Sequence, residues 1–356
     1  MAKTIILTIT NKCNLNCTYC YEDFKNNRNM SLDVAKEILL EGFKENEGGE
    51  FEVDFHGGEP MCNFELIRDL CEWAFSEKRE CKYRFFIATN GTILTPEMKE
   101  WFTKHKDRVN LGLSADGDRE MHNINRSNSF DKIDFDFFLE NWPKQQVKMT
   151  ISEQTIHNIA RGVIFLHGKG FDVAYNLALG IDWEPELLEV YKAQIDQIVE
   201  YYIQNPSINR AMNLSKRISA VLSNNKVVRD CGAGKQMRSY DTEGKAYPCH
   251  MFTDNTLDQD IWETIAKTDF SDDALYGDPE CEACPIYRIC PTCYGMNFKE
   301  RGNIGSRDKR LCGYNKIEAL AMCKLKYNDL INKDTADFTQ DDYKDLKAVK
   351  YLTDNL

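Results

Sequence analysis

Three cysteines near the N-terminus have the spacing of an iron–sulfur ligand set. Residues 13–20 read CNLNCTYC, so Cys13, Cys17 and Cys20 form a CxxxCxxC pattern. Three thiolates bind three irons of a four-iron cluster and leave the fourth iron open, whereas a structural zinc site is closed by four protein ligands. The pattern predicts a cluster with an open iron. A zinc site without its fourth ligand and three packed thiols are the alternatives.

A second group of cysteines lies in the C-terminal part of the chain. Its members are Cys231, Cys249, Cys281, Cys284, Cys290, Cys293 and Cys312. Fourteen cysteines in a reducing compartment are not expected to form seven disulfides, so the closely spaced ones are interpreted as metal ligands. A zinc ribbon built on Cys281, Cys284, Cys290 and Cys293 is the alternative for this group. Cys62, Cys71 and Cys81 lack ligand spacing and are predicted to pack as small hydrophobic residues.

Charge and hydropathy narrow the class of partner. The chain has 57 acidic and 45 basic residues and a formal net charge of -12. This balance gives no basic surface for a phosphate backbone, so nucleic acid is excluded and a basic or neutral peptide is favoured. The N-terminal apolar run is too short for a signal peptide, and no stretch approaches the length of a membrane span. We therefore predict a cytoplasmic protein that does not bind membranes.

Six strand patterns alternate with helical patterns over the first two hundred residues. The predicted strands are Thr4–Ile9, Phe51–His56, Arg84–Thr89, Val109–Ser114, Val147–Ile151 and Phe171–Ala178. The predicted helices are Ser31–Asn46, Phe64–Lys78, Pro96–Lys104, Lys132–Asn141, Gln154–Lys169 and Pro185–Gln204. Such repeated strand–helix units indicate an α/β fold with a parallel sheet, closed fully or partly into a barrel. Ligands are then expected at the carboxyl ends of the strands, where the CxxxCxxC segment lies.

The pattern changes after about residue 204. We predict a barrel over residues 1–205, a linker over 206–230, a cysteine-rich domain over 231–325 and a helical acidic tail over 326–356. The cysteine-rich segment has many Gly and Pro residues and no clear periodicity, so it requires metal to hold it together. The acidic stretch Asp334–Asp345 is predicted to be a solvated surface.

With Tyr21 directly after CxxxCxxC, the sequence resembles the radical S-adenosylmethionine (SAM) superfamily. The resemblance implies a partial (βα)6 barrel of the TIM type, in agreement with the six units above. It also implies that SAM binds the open iron of a 4Fe-4S cluster. Reductive cleavage of SAM would then produce a 5'-deoxyadenosyl radical that abstracts hydrogen from the substrate.

The same resemblance implies a set of SAM-binding residues. Gly57, Gly58, Glu59 and Pro60 match the GGEP motif that contacts the methionine amino group in the family, and they follow the second strand. Asn90 and Ser114 end the third and fourth strands. Arg126 matches an arginine that pairs with the SAM carboxylate, for which a bidentate guanidinium is suited. Tyr19 corresponds to a residue whose backbone meets the adenine.

The C-terminal cysteines resemble the SPASM domain of peptide-modifying relatives, which holds two auxiliary 4Fe-4S clusters. Carried over by position, cluster I takes Cys231, Cys249 and Cys293, and cluster II takes Cys281, Cys284, Cys290 and Cys312. Two departures matter, because the last internal spacing is two residues instead of three and one cysteine, not two, precedes Gly244–Cys249. Cluster I then has an open iron, or Cys323 fills it.

These features predict an oxidoreductase that modifies a ribosomally made peptide by a thioether or carbon–carbon cross-link or a related oxidative change. The alternative is an anaerobic sulfatase-maturating enzyme that makes formylglycine, and a minor alternative is a non-catalytic electron carrier, which would leave Ser114 and Arg126 without a role. In sulfatase maturases an aspartate base follows the Pro–Cys pair, where this chain has His250. Histidine is also a competent base. His56, just before GGEP, is a second candidate facing the substrate.

The expected partners follow from this chemistry. They are a peptide or protein substrate and an electron donor such as flavodoxin or ferredoxin. Because we see no leader-binding segment before the first strand, either the barrel rim or a separate protein is expected to bind a leader peptide. Reducible clusters further predict an oxygen-sensitive enzyme of anaerobic organisms.

Overall fold

The computed structural model describes residues 3–224, 229 and 231–356. In chain order the strands are β1 (Thr4–Thr10), β2 (Glu50–Gly57), β3 (Lys82–Thr89), β4 (Val109–Leu113), β5 (Val147–Ile151), β6 (Val173–Leu177), β7 (Met237–Tyr240) and β8 (Ala246–Tyr247). The α-helices are α1 (Leu32–Glu45), α2 (Phe64–Ser76), α3 (Pro96–His105), α4 (Arg119–Asn125), α5 (Phe135–Asn141), α6 (Ile159–Gly168), α7 (Leu187–Gln204), α8 (Trp262–Lys267), α9 (Tyr294–Arg301), α10 (Cys312–Ile331) and α11 (Gln340–Asn355). Part of the predicted linker, residues 225–228 and 230, lies outside the described residues.

The chain divides into two compact units. The first unit contains residues 1–115, 126–147 and 231–272, and the second contains residues 116–125, 148–230 and 273–356. Each unit therefore draws on several separate stretches of sequence. The predicted boundaries at residues 205, 230 and 325 stay a prediction.

The first unit is built on a six-stranded sheet with the order β4-β3-β2-β1-β7-β8. The pairs β1–β2, β2–β3, β3–β4 and β1–β7 are parallel, and β7–β8 is antiparallel. The predicted α/β class with a parallel sheet is confirmed. Strands β7 and β8 were not predicted, because four and two residues in a Gly- and Pro-rich segment are too short to show a period.

Strand β2 shows how the sheet separates two environments. Its residues Phe51, Val53 and Phe55 are buried, while the alternate side chains of Glu52 and Asp54 lie on the opposite face. Phe55 stacks on Phe85 of β3 with ring centroids 5.3 Å apart. One face of β2 thus belongs to the apolar core, and the other face carries the polar side chains.

Helices α1, α2 and α3 begin within one residue of their predicted starts. Thr95 caps α3 by accepting a hydrogen bond from the Met98 backbone N–H, and Pro96 occupies the first helical turn. Ser31 caps α1 in the same way through Val34. These local caps fix the point at which each loop above the sheet ends.

The second unit contains the two-stranded sheet β5–β6 and helices that include α7 and α10. On α10 the buried Glu318 carboxylate accepts hydrogen bonds from Tyr191 Oη at 2.6 Å and from Asn213 Nδ2 at 2.7 Å. Burial raises the pKa of Glu318. The predicted strands five and six thus form, but they pair with each other in a sheet separate from β1–β4.

The C-terminal residues form α11, with a capping box between Thr339 and Asp342. Most of the acidic stretch before and within this helix is exposed, as predicted. Over the described part of the chain, no helix combines the length and the apolar character needed to cross a membrane.

Candidate functional site

The candidate site in the first unit begins with the loop between β1 and α1, residues 11–30, which we name the cluster loop. Its two ends are joined by hydrogen bonds from Asn11 N to Arg28 O and from Met30 N to Ile9 O, both 2.9 Å. The Thr10 hydroxyl also donates to Asn29 Oδ1 at 2.5 Å. The loop therefore leaves and returns at the carboxyl end of β1, where it presents its cysteines.

The three predicted cluster ligands lie in this loop and are partly exposed. The Cys20 N–H donates to Cys17 O at 3.2 Å, so the last two cysteines share one tight turn. Burial raises the pKa of the Cys13 thiol to about 11, and the neighbouring Cys17 raises it further while Lys25 opposes the shift. An iron–sulfur cluster reverses this effect, because bound iron stabilises the thiolate.

Lys25 is a basic residue of the cluster loop that sequence reasoning missed. Burial lowers the pKa of its ammonium, but a hydrogen bond to Cys20 and the charges of Cys20, Cys13 and Glu22 outweigh this and raise it. A cation held among the thiols compensates negative charge at a site of three thiolates. No spacing rule identifies such a lysine, since its position depends on how the loop folds back.

The two glycines of GGEP allow β2 to approach the cluster loop. A Cβ atom at Gly57 would lie 2.0 Å from Thr10 O, and one at Gly58 would lie 2.6 Å from Lys12 O. Gly57 also has a φ of 145°, which favours glycine. The Glu59 N–H donates to Lys12 O at 2.9 Å. GGEP is thereby fixed directly beside Cys13.

Glu59 is buried and its carboxylate is held by three donors. Oε1 accepts from the Thr89 hydroxyl at 2.7 Å and from Met61 N at 3.1 Å, and Oε2 accepts from Asn90 N at 2.7 Å. Burial raises the pKa of Glu59, whereas these hydrogen bonds and the charge of Arg126 lower it. A carboxylate has about four acceptor sites, so capacity for one further donor remains. Glu59 joins the ends of β2 and β3.

Asn90 connects β3 to the cluster loop. Its Nδ2 donates to Asn14 Oδ1 at 2.9 Å, and its Oδ1 accepts from the Thr92 N–H at 3.0 Å. Asn14 in turn donates to the Thr92 hydroxyl at 2.8 Å. Ser114 follows β4, and its N–H donates to Thr89 O at 2.9 Å. Asn90, Ser114 and Glu59 therefore lie at the same carboxyl edge of the sheet.

Arg126 is buried beside Tyr19, with its guanidinium carbon 5.5 Å from the tyrosine ring centroid. The next residue, Ser127, accepts from the Asn16 N–H and donates to the Asn16 carbonyl, both at 3.0 Å. Ser127 and Asn128 both have a φ of 53°, in the left-handed region that non-glycine residues seldom adopt. This turn presses the segment after Arg126 against the cluster loop, which sequence patterns did not reveal.

The two predicted catalytic histidines meet in the first unit. The rings of His56 and His250 stack with centroids 4.3 Å apart and planes inclined by 25°. Tyr21 lies 6.1 Å from His250 between ring centroids, and Glu22 Oε1 is 3.9 Å from His56 Nδ1. Burial lowers the pKa of His56 to about 4 and raises that of Glu22 to about 7. At neutral pH His56 is therefore an uncharged imidazole.

Five of the seven C-terminal cysteines lie in the second unit, and four of these five are the predicted ligands of cluster II. The charges of Cys281 and Cys284 raise the pKa of Cys312, after burial as the main cause, so these three thiols are neighbours. Asn315 of α10 donates to Cys290 Sγ at 3.4 Å, and Lys309 Nζ lies 2.9 Å from Cys281 Sγ. The predicted ligands of cluster II thus share one region.

Cys231 and Cys249 lie in the first unit, where the former is exposed and the latter buried. Their segments are joined by a hydrogen bond from Gly234 N to Pro248 O at 3.0 Å. Cys293, predicted to complete cluster I, belongs to the second unit. Cys323, predicted as an alternative ligand of cluster I, is buried on α10. The ligand set of cluster I stays a prediction.

The remaining cysteines and the donor types bear on the kind of metal centre. Cys71 is fully buried, as predicted for a packed thiol, whereas Cys62 and Cys81 are partly exposed. Among the described residues, no three Cys, His, Asp or Glu side chains converge on one metal-ion position. An iron–sulfur cluster takes each thiolate on a different iron, so its ligands do not need to converge. Thiolates are the usual ligands of iron–sulfur clusters, so the donor type of these cysteines fits a cluster.

Comparison with known families identifies the domain in which this site lies. Residues 7–141 match the family model described as the Radical SAM superfamily, and this stretch includes the cluster loop, GGEP and Arg126. Residues 7–141 form a radical SAM domain. Its cofactors are accordingly a 4Fe-4S cluster and SAM.

Relatives of this radical SAM enzyme occur among archaea and clostridia. An uncharacterized protein of Methanocaldococcus jannaschii is 36% identical over 115 residues, which cover 32% of this chain and 39% of that protein. The cysteine-type anaerobic sulfatase-maturating enzyme of Clostridium novyi is 22% identical over 347 residues, covering 86% of this chain and 91% of the relative. The match therefore spans well under half of the first relative and nearly all of the second.

Solved structures of two proteins share the fold. Native anSMEcpe with bound AdoMet superposes with a TM-score of 0.72 at 18% identity, covering 92% of this chain and 98% of the other. SuiB of Streptococcus suis bound to its precursor peptide SuiA superposes with a TM-score of 0.59 at 18% identity, covering 87% of this chain and 76% of the other. The radical SAM enzyme thus has the architecture that both proteins use.

Proposed function

We propose that this radical SAM enzyme oxidatively modifies a ribosomally made peptide, forming a cross-link or a related change. The observation that carries the proposal is the stacking of His250 on His56. His250 follows Cys249, a proposed auxiliary ligand, and His56 precedes GGEP. The candidate base His250 therefore lies next to the histidine that precedes GGEP, and it directly follows Cys249 of the C-terminal group.

The bound cluster and SAM supply a 5'-deoxyadenosyl radical that removes a hydrogen atom from the substrate. The chain's own residues bind and orient these groups. Cys13, Cys17 and Cys20 would hold the cluster. Arg126 would pair with the SAM carboxylate, and its place beside Tyr19 puts it next to the cluster loop. Gly57–Pro60, Asn90, Ser114 and Tyr19 would complete the SAM site.

A two-electron oxidation of a peptide also releases a proton, which requires a base. We assign that role to His250, with the neutral imidazole of His56 stacked behind it. Glu22 Oε1 lies 3.9 Å from His56 Nδ1. The seven C-terminal cysteines would hold two auxiliary clusters, which would supply an acceptor for the second electron.

Known peptide complexes support a peptide as the substrate class, since SuiB binds the precursor peptide SuiA and anSMEcpe binds the Cp18Cys peptide. The electron donor would be a flavodoxin or ferredoxin. A leader peptide would be bound by the barrel rim or by a separate protein. Residues 231–325 would form the SPASM domain.

The proposal is tested by anaerobic incubation of the reconstituted enzyme with SAM, a reductant and the peptide encoded beside it. We expect a product lighter by pairs of hydrogens, or a cleaved peptide, and heavy water reveals an epimerisation that leaves the mass unchanged. His250→Ala should abolish product while SAM cleavage continues, and His157→Ala, on another stretch of the chain, serves as the matched control. An unchanged peptide beside an oxidised sulfatase fragment would contradict the proposal.

The second candidate is maturation of sulfatases. It is favoured by the Clostridium novyi maturase, which aligns over 86% of this chain, and by the higher TM-score with anSMEcpe. His250 stands against it, because the aspartate base of the maturases is missing at that position. A sulfatase fragment with a target Cys or Ser, offered together with the neighbouring peptide, decides between the two substrates by the mass of each product.

A further inference from the structure

The first unit contains a cavity of about 240 Å³ that neither the cluster nor SAM explains. It lies between Arg28 of the cluster loop, the β7–β8 turn, Asp254 and Trp262 of α8. This volume is below the range of roughly 300–1,000 Å³ typical of pockets for drug-sized ligands. The cavity therefore has the size for a single amino-acid side chain.

Acidic groups outnumber basic ones in the cavity wall. The acidic lining residues are Asp241, Glu243, Asp254 and Asp258, and the basic ones are Arg28 and Lys245. Arg28 pairs with Glu243 at 3.3 Å and with Asp254. Because two negative charges remain in excess, the cavity attracts cations over anions.

One of the two carboxylate oxygens of Asp254 has no hydrogen-bond donor among the described residues. Its side chain is 8% exposed, and one carboxylate oxygen accepts from Arg28. The other oxygen, Oδ1, is buried and has no hydrogen-bond partner among the described residues. Buried carboxylate oxygens are normally hydrogen-bonded, so Asp254, which lines the cavity, has acceptor capacity that the described residues do not use.

The opposite wall already holds a cation. The Lys245 ammonium lies 3.1 Å from the centroid of the Trp262 ring, and Tyr247 packs against that ring with centroids 4.7 Å apart. A tryptophan face is the strongest aromatic partner for a cation. Lys245 is exposed, so another cation can displace it from this position.

We propose that this cavity binds a lysine or arginine side chain of the peptide substrate, with the cation between Trp262 and the Asp254 carboxylate. The proposal rests on the proposed function in its assumption that the substrate is a peptide. It agrees with the net charge of -12, which favours a basic ligand. The cavity also adjoins the cluster loop, because Phe24 N donates to Asn255 O at 3.1 Å, next to Asp254.

The test measures binding without catalysis, by calorimetric titration of the reconstituted enzyme with Nα-acetyl-arginine methylamide and with its uncharged citrulline analogue. We expect the arginine compound to bind at least tenfold more tightly than the citrulline compound. Asp254→Asn should remove most of that preference. Lys245→Gln should strengthen arginine binding at least threefold, because it removes the competing cation.

Matched controls lie on the exposed side of α8, where Glu263 and Lys267 form an ion pair away from the cavity wall. Glu263→Gln and Lys267→Gln change the net charge by the same amounts and should leave both affinities unchanged. No binding, equal binding of the two compounds, or the same response from Lys267→Gln as from Lys245→Gln would overturn the proposal. Lys245→Gln decides even if Asp254→Asn does not fold. Because no SAM cleavage is measured, failure here is separate from failure of the peptide-modifying function.

Discussion

At the scale of single residues, the site depends on side chains that join neighbouring loops. Glu59 accepts from Thr89, Asn90 and Met61, and burial raises its pKa while these hydrogen bonds and the charge of Arg126 oppose the shift. Arg126 is enclosed beside Tyr19 and is therefore shielded from water. In such an environment a charged hydrogen bond contributes more than it does on the surface.

We expect Arg126→Lys to weaken SAM binding by about tenfold, which corresponds to about 1.4 kcal/mol, because lysine cannot make a bidentate contact with a carboxylate. The measurement is equilibrium dialysis of SAM against the anaerobically reconstituted enzyme. Arg68→Lys, on the outer surface of α2, is the control and should bind SAM like the wild type. Unchanged affinity in Arg126→Lys would remove this residue from the SAM site.

Lys309 is expected to tune the proposed cluster II, since its ammonium lies 2.9 Å from Cys281 Sγ. A cation beside a ligand thiolate stabilises the extra electron of the reduced cluster. Lys309→Met should therefore lower the reduction potential by about 60 mV or more, equivalent to tenfold for one electron. Redox titration followed by electron paramagnetic resonance measures it.

The matched control for this measurement is Lys324→Met, which removes a lysine from the exposed part of α10. It should leave all potentials unchanged. A potential that is the same in Lys309→Met and in the wild type would show that Cys281 does not bind a redox cluster.

At the scale of elements, β2 carries both the sheet core and polar groups of the site. Asp54, two residues before His56, is partly exposed, and its buried Oδ1 has no hydrogen-bond partner among the described residues. Burial raises the pKa of Asp54 to about 8, with a further contribution from Glu52. Strand β2, which ends at the first glycine of GGEP, therefore contains an acid that is protonated at neutral pH.

We expect Asp54→Asn to stabilise the enzyme increasingly as the pH rises toward 8. Between pH 5 and pH 8 the unfolded chain has lost this proton while the folded chain keeps it, so folding loses ~1.4 kcal/mol per pH unit from this group. Asparagine does not titrate, so the variant lacks this pH dependence of the free energy of unfolding. The check is the difference in urea midpoint between variant and wild type at pH 5.5 and pH 8.

Asp107→Asn, an exposed position after α3, is the control for this comparison. It should show the same urea midpoint as the wild type at both pH values. A difference for Asp54→Asn that does not change with pH would mean that the buried acid titrates normally.

At the scale of the whole molecule, two sets of cysteines would give the enzyme several redox centres. The first set lies in the cluster loop, and cluster II is proposed for four cysteines of the second unit. If all sites form, each chain holds ~12 irons in three 4Fe-4S clusters, whereas ~4 irons would mean the SAM cluster alone.

We expect the double variant Cys281→Ala/Cys284→Ala to hold ~8 irons, since it loses one cluster and keeps the other two. SAM cleavage should continue because the cluster loop is untouched, but peptide product should be lost with the electron acceptor. Iron and sulfide analysis, with product detection by mass, measures both effects. Cys81→Ala should keep the wild-type iron count, and an unchanged count in the double variant would discard the SPASM assignment.

The sequence alone determined the features that depend on local patterns. CxxxCxxC and GGEP are short, contiguous groups whose chemistry follows from residue type and spacing, and the family match confirms the superfamily that they indicate. The six predicted strands and most of the predicted helices lie within a few residues of their predicted bounds. Each of them has a clear period or a cap such as Thr95.

Only the tertiary structure decided the features that depend on residues distant in sequence. The stacking of His56 on His250, the Lys25–Cys20 contact and the turn at Ser127 arise from loops folding against one another, for which no local pattern exists. Strand β7 joins the sheet beside β1 although more than two hundred residues separate them. Pairing of this kind is set by the burial of a sheet edge in three dimensions, so a one-dimensional period cannot reveal it.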